Sequence, residues 1–208
     1  MEEFEGQRAR MVREQIAARG VADPRVLDAL AAVPREAFVP RDLRSQAFED
    51  RPLPLGHGQT ISQPYIVAFM AEALELGPWD RILDVGAGCG YAAAVLARLG
   101  AQVHALELVP ELAAQAEANL RHAGFGFVLL RCGDGSAGWP EAGPFDAIHV
   151  GCAAQEVPPA LLEQLAEGGR LVLPVGEPFG SQWLVRVRKR GGAVSREDLL
   201  PVAFVPMR

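Results

Sequence analysis

The chain has 208 residues, half of them hydrophobic, and 20 basic against 26 acidic side chains give it a formal net charge of −6. That length suits a single α/β domain with a sizeable core, and the acidic balance argues against a nucleic-acid binder dominated by phosphate contacts. No apolar run approaches the ~18 residues needed to span a bilayer, and the acidic opening "MEEFEGQRARM" holds no apolar signal core, so a cytoplasmic protein without a membrane partner is expected.

Taken in chain order, residues 2–19 read as a helix closing at Gly20. Asp23 is placed to cap a second helix, with Pro24 at its first position and "RVLDALAAV" following. Pro34 and Pro40 interrupt this pattern, and a charged, irregular segment runs to about Pro54. A polar loop, "GHGQTISQ" (Gly56 to Gln63), then leads to Pro64, which fits a first helical position, and "YIVAFMAEALEL" is predicted helical as far as Gly77.

From Arg81 the rhythm changes. "RILDVGA" is a buried strand, "YAAAVLARLG" a helix closing at Gly100, "AQVHALEL" a strand, and "PELAAQAEANLRHAG" a helix with Pro110 at its start. "FVLLRCG" and "FDAIHVGC" are further strands, followed by the helix "PPALLEQLAEGG" and the strand "RLVLPVG". This alternation implies a mostly parallel, doubly wound sheet with helices on both faces. "QWLVRVRKR" then alternates as a half-exposed strand, its basic run an exposed face. Gly191–Gly192 supply a hairpin turn, and a last strand ends near "VAFVPM". The expected organisation is one domain over 1–208, with 1–77 a helical cap and loop, 78–208 an α/β core, and an antiparallel hairpin closing it.

Cys89, Cys132 and Cys152 are odd in number and widely spaced, and read as reduced thiols. His57, His104, His122 and His149 show no metal-ligand spacing with them, so no metal is expected. Cys89 starts a helix, which would lower its thiol pKa; packing is the plainer role.

The strongest motif is "LDVGAGCGY", Leu83 to Tyr91. A buried strand runs into a glycine-rich turn and then a helix. Gly86 and Gly88 let backbone approach a ligand, and Gly90 helps the helix pack against the strand. A dinucleotide fingerprint would need glycine where Tyr91 stands. The shorter G-x-G-x-G is typical of S-adenosylmethionine sites, although a purely structural turn has the same appearance. Glu107 ends the next strand, 23 residues after Asp84, where a carboxylate can accept both ribose hydroxyls. In "CGDGS", Asp134 can accept from an adenine amino group and Gly135 leaves room for the ring; an ordinary Asp-Gly turn is the alternative. Asp84, under the loop, is placed to orient backbone amides or to meet the methionyl amine through water.

With "AAVPREAFVP" upstream, "FEDRPLPLGHGQTISQPYIVA", "LDVGAGCGY", "GDG", "FDAIHV", "LVLPVG" and "AFVPM" together resemble the protein-L-isoaspartate O-methyltransferase family over nearly the whole chain. The resemblance implies a Rossmann-like, S-adenosylmethionine-dependent methyltransferase sheet whose two last strands lie in an unusual order. It implies methyl transfer to the free α-carboxylate of isoaspartyl residues in damaged proteins and peptides, with S-adenosylhomocysteine as product. Collapse of the ester to a succinimide then begins repair. Ser62 falls on the family's active-site serine. Gln59, Thr60 and Ile61 fall on its cofactor-adjacent loop, and Gly86, Glu107, Asp134 and Gly135 on its cofactor contacts. "GCAAQEVP" departs from the family's usual wall after the fourth strand, and Cys89 replaces a frequent serine.

An α-carboxylate, with a pKa of roughly 3.5, is already ionised at neutral pH, so methyl transfer to it needs orientation and no general base. Ser62, before a helix start, suits an orienting donor; its plainer role is to cap that helix. Three rival functions remain at this stage: a related enzyme with another carboxylate or small-molecule acceptor, a non-catalytic cofactor- or nucleotide-binding module, and, more distantly, a nicotinamide dehydrogenase.

Overall fold

The computed structural model describes residues 2–100 and 102–208. Met1 and Ala101, which open the expected domain and its second core strand, lie outside the described residues.

The first helical segment changes pitch along its length. Helix α1 covers Glu2–Met11. The chain then widens into a π turn over Val12–Ile16 and tightens into a 3-10 turn over Ala17–Arg19, before Gly20 reverses it at φ 97°. Met11 and Ile16 are both buried. Regular α-helix would set residues five apart about 140° from one another, and the wide turn brings both onto the core side. Helix α2, Pro24–Ala32, starts as its sequence indicates: the Asp23 side chain accepts from the Arg25 amide, and Val26, Ala29 and Leu30 form the buried stripe.

The loop before the third helix has more structure than expected. Strands β1 (Leu53–Gly56) and β2 (Gln59–Ile61) pair antiparallel, with Gly56 opposite Gln59. His57 and Gly58 between them both take positive φ, 52° and 72°, as the favoured two-residue hairpin turns require. Helix α3, Pro64–Ala73, ends short of Gly77. Arg170 Nε donates to the Leu74 carbonyl at 2.7 Å and its Nη2 to that of Glu75 at 2.5 Å, while Arg186 Nη1 reaches the Ala73 carbonyl at 3.3 Å. Two arginines thus satisfy the carbonyls that another helical turn would have used.

The α/β core follows as β3 (Arg81–Val85), α4 (Tyr91–Arg98), β4 (Gln102–Glu107), α5 (Pro110–His122), β5 (Leu129–Cys132), β6 (Phe145–Val150), α6 (Pro159–Gln164), β7 (Leu165–Gly176), β8 (Gln182–Arg190) and β9 (Ala193–Val202). Its seven strands lie in the order β5-β4-β3-β6-β7-β8-β9. Pairing is parallel from β5 through β7 and antiparallel from β7 through β9. Alternate residues of each central strand feed two separate cores. Ile82, Ala105, Ala147 and Val172 join the cluster beneath α2, α3 and α4, whereas Leu83, Leu106, Ile148 and Leu171 join the one that holds Leu161 of α6. Both faces of the sheet are therefore covered. The basic run of β8 is structural: Arg186 and Arg188 both reach Glu75 at the end of α3, and Arg186 also reaches Glu197 on β9.

Candidate functional site

Strand β3 has β4 on one side and β6 on the other, so the connections diverge at its carboxyl end and leave a crevice there. The chain leaves β3 through Gly86, Gly88 and Gly90, at φ 78°, 56° and 88°. The amides of Gly86 and Ala87 both donate to the Leu106 carbonyl, at 2.9 and 3.0 Å, which ties the turn to β4. Glu107 completes the tie. Its Oε2 accepts from the Gly88 amide at 2.7 Å and its Oε1 from the Val109 amide at 2.9 Å. An ionised carboxylate has about four acceptor positions, so each oxygen keeps capacity for a ligand donor.

Glu107 lines a groove of about 600 Å³, and Gln59, Thr60, Gly86, Gly88 and Gly135 line it too. Gly135 is required by space: a β-carbon there would lie 2.3 Å from Val85 Cγ1. Leu106, Leu108 and Val109 add an apolar wall, Gly151 and Cys152 a floor, and residues 205–208 a further side. Those last residues are fastened by a ladder to Ala153, whose amide donates to the Val205 carbonyl and whose carbonyl accepts from the Met207 amide, both at 2.8 Å. Reasoning from sequence passed over these walls. The signals for them were "LELVP", apolar residues at a strand end where a polar turn is ordinary, and "AFVPM", which stood out only through the family resemblance.

Several residues expected at this groove stand elsewhere. Asp84 is wholly buried, and its Oδ1 pairs with His149 Nδ1 at 2.6 Å. Asp134 is exposed and spends a carboxylate oxygen on the Ser136 amide at 2.8 Å, capping a short 3-10 turn. Neither lines the groove. Gly90 permits a different close approach from the one expected: a β-carbon there would meet Leu120 on α5 at 3.0 Å, so the tight packing is helix on helix. Cys89 also differs. Burial pushes its thiol up to about 11, because desolvation of the thiolate outweighs the effect of a helix start. Cys152 is likewise pushed up to about 12, so both thiols are neutral at pH 7.

Ser62 lines a second, wider groove of about 1700 Å³, with Arg19, Tyr65, Phe179 and the stretch from Leu200 to Val205. Among the described residues that line it, no side chain is acidic, and Arg19 is the one carrying charge. Ile61 faces a smaller cavity beneath the loop, shared with Ser62 and His149. Ser62 does not cap α3. The cap position belongs to Gln63, and no side chain bonds to the helix end there. Thr60, Gly151 and Val205 line both large grooves and form the partition between them. Sequence reasoning also passed over Arg35, whose Nη2 donates to the Ser62 carbonyl at 2.8 Å.

The geometry is matched by relatives. Residues 6–208 fit the family model described as protein-L-isoaspartate(D-aspartate) O-methyltransferase (PCMT). A protein-L-isoaspartate O-methyltransferase 2 of Anaeromyxobacter sp. (strain Fw109-5) is 56% identical over 204 residues, which is 98% of this chain and 84% of that protein. A protein-L-isoaspartate O-methyltransferase of Methylorubrum extorquens (strain PA1) is 58% identical over 201 residues, 96% of this chain and 87% of the relative. A crystal structure of a beta-aspartate methyltransferase (PCMT) from Plasmodium falciparum, in complex with S-adenosyl-L-homocysteine, superposes with a TM-score of 0.84 at 27% identity. That match covers 97% of this chain and 98% of that one. The chain belongs to the protein-L-isoaspartate(D-aspartate) O-methyltransferase family.

Proposed function

We infer that the chain transfers the methyl group of S-adenosylmethionine to the free α-carboxylate of L-isoaspartyl residues in damaged proteins and peptides. The observation that carries this reading is the pair of unlike grooves meeting at Thr60, Gly151 and Val205. One has Glu107 beside a glycine turn, and the other has the Ser62 hydroxyl and no acidic side chain among its described residues.

S-adenosylmethionine, when bound, supplies an electrophilic methyl group on a sulfonium. The groove at Glu107 suits such a ligand: a buried carboxylate with spare acceptor capacity for ribose hydroxyls, an apolar wall, and a turn whose glycines admit close backbone approach. Gln59 and Thr60 cover it from the loop, with Ile61 facing the smaller cavity beneath, and Gly135 leaves room for the adenine; Asp134, next to Gly135 but outside the lining, keeps an acceptor oxygen beyond its cap bond. Asp84 and Gly90 act at one remove, one beneath the loop and one in packing its helix.

On the acceptor side, an ionised carboxylate enters a groove that no acidic side chain lines among the described residues. The Ser62 hydroxyl donates to one of its oxygens and sets the other toward the partition. Arg19 adds a favourable charge, although its pairing with Asp50 at 3.0 Å offsets much of it. The reading takes the whole of 1–208 as a single working unit acting as a monomer. No helix among the described residues is long and apolar enough to cross a membrane, and the reading places the enzyme among cytoplasmic client proteins.

The test is labelled-methyl transfer to a matched pair of peptides, one isoaspartyl and one aspartyl. Base-labile ester is expected on the first at a rate far above the second. Both carry one free carboxylate at this residue, so geometry must discriminate, and a misplacement of about 1 Å can cost roughly a hundredfold. Comparable rates would leave a general carboxyl methyltransferase in place of a repair enzyme.

A further inference from the structure

We propose that Arg35 is a positioning residue for methyl transfer, gripping the Ser62 backbone so that the Ser62 hydroxyl stays aimed into the acceptor groove. The inference rests on the reading of Ser62 given above.

Arg35 lies in the cap, in the 3-10 turn Arg35–Ala37, and its side chain is wholly buried. Its Nε donates to the Ala47 carbonyl at 2.7 Å and its Nη2 to the Ser62 carbonyl at 2.8 Å. The guanidinium carbon stands 4.9 Å from the ring centroid of Tyr91, the residue that opens α4 directly after the glycine turn. Its Nη1 has no hydrogen-bond partner. Among the described residues no carboxylate forms an ion pair with it, and the neighbouring Glu36 is taken by Arg8 at 2.6 Å.

A buried cation without a carboxylate is costly to desolvate, and the guanidinium repays that cost in part by donating to two carbonyls that would otherwise lack a partner. What the guanidinium does is join three parts of the molecule that must agree for transfer: the cap at Ala47, the acceptor loop at Ser62, and the helix behind the cofactor turn at Tyr91. The planar fork fixes the direction of the Ser62 carbonyl, and with it the direction in which the Ser62 side chain leaves the backbone. Lysine carries the charge without the fork, so it reproduces only part of this grip.

The experiment uses the full chain with Arg35→Met and Arg35→Lys, each alone and combined with Ser62→Ala, all verified as folded by circular dichroism. Arg35→Met is expected to lower kcat/KM for an isoaspartyl peptide by about tenfold or more, with S-adenosylhomocysteine affinity held within about twofold. Arg35→Lys is expected to recover part of that loss. On the Ser62→Ala background either substitution is expected to cost less than about threefold further, because residues acting as a unit are not additive. Losses that multiply on that background, turnover falling in step with cofactor affinity, parental turnover in Arg35→Met, or failure of both variants to fold would each overturn the proposal. Parental turnover in Ser62→Ala alone would instead remove the reading of Ser62, which keeps the two failures apart.

Discussion

Replacing Glu107 by glutamine removes a charge while keeping the shape of the side chain. In the native arrangement the amides of Gly88 and Val109 donate to the two carboxylate oxygens, at 2.7 and 2.9 Å. Whichever way the new amide group turns, its NH2 faces one of those backbone N–H groups, and one ribose hydroxyl loses its acceptor. A hydrogen bond to a charged group is worth about 1.5–3 kcal/mol, which corresponds to a roughly 10- to 150-fold weaker Kd. Calorimetric titration with S-adenosylhomocysteine reads this directly, with thermal melts confirming that the variant is folded. A second titration, with an analogue lacking both ribose hydroxyls, separates ribose recognition from damage to the glycine turn. The Glu107→Gln penalty is expected to shrink to a few-fold with that analogue. Unchanged affinity in a folded variant, or an equal penalty for both ligands, would refute the assignment of Glu107 to the ribose.

Ser62→Ala is expected to lower turnover about tenfold or more, equivalent to about 1.4 kcal/mol of transition-state stabilisation, with cofactor affinity unchanged; single-turnover rates equal to the parent's would reduce Ser62 to a loop residue. Gly135→Ala would set a methyl group 2.3 Å from Val85 Cγ1 and should destabilise the protein by about 1–3 kcal/mol, seen as a lower urea midpoint; an unmoved midpoint would show that the turn relaxes freely. Burial, with a smaller contribution from Arg81, holds the pKa of His104 below its ordinary value. The unfolded chain therefore takes up its proton first on acidification: stability from this group is full above pH ~6.5 and is lost as pH falls from there through the folded-state pKa. His104→Leu should flatten the decline of unfolding free energy below pH ~6.5, and parallel curves for parent and variant would dismiss that role.

What was readable in the sequence is what is decided locally. Asp23 with Pro24, Pro110, and the glycines from 86 to 90 mark boundaries through their own backbone preferences, and the structure places α2, α5 and the β3–α4 turn where they indicate. The end of α3 was hidden because Arg170 and Arg186, about a hundred residues later, decide it. The β1–β2 hairpin was hidden because His57 adopts a backbone conformation that favours glycine. At the site, Glu107 and the glycine turn were legible as a pattern of known spacing. Asp84 was not, since its partner His149 lies 65 residues away on a neighbouring strand. Arg35 lay inside "AAVPREAFVP", which stood out only through the family resemblance, and nothing local marks that arginine as fully buried.

The partition of Thr60, Gly151 and Val205 bears on how such an enzyme can be redesigned. Phe179, Tyr65 and Leu200 touch only the Ser62 groove, and Leu108, Val109 and Gly135 touch only the Glu107 groove. On the roles proposed for the two grooves, libraries built on either set can be screened separately, one for new acceptors and the other for altered methyl donors, and their winners recombined with little expected interference. The three shared residues form the bottleneck. Gly151 is the tightest, since a β-carbon there would come within 3.0 Å of the Gly86 carbonyl oxygen. A change at any of them acts on both grooves at once, and no choice of screen can disentangle the two effects.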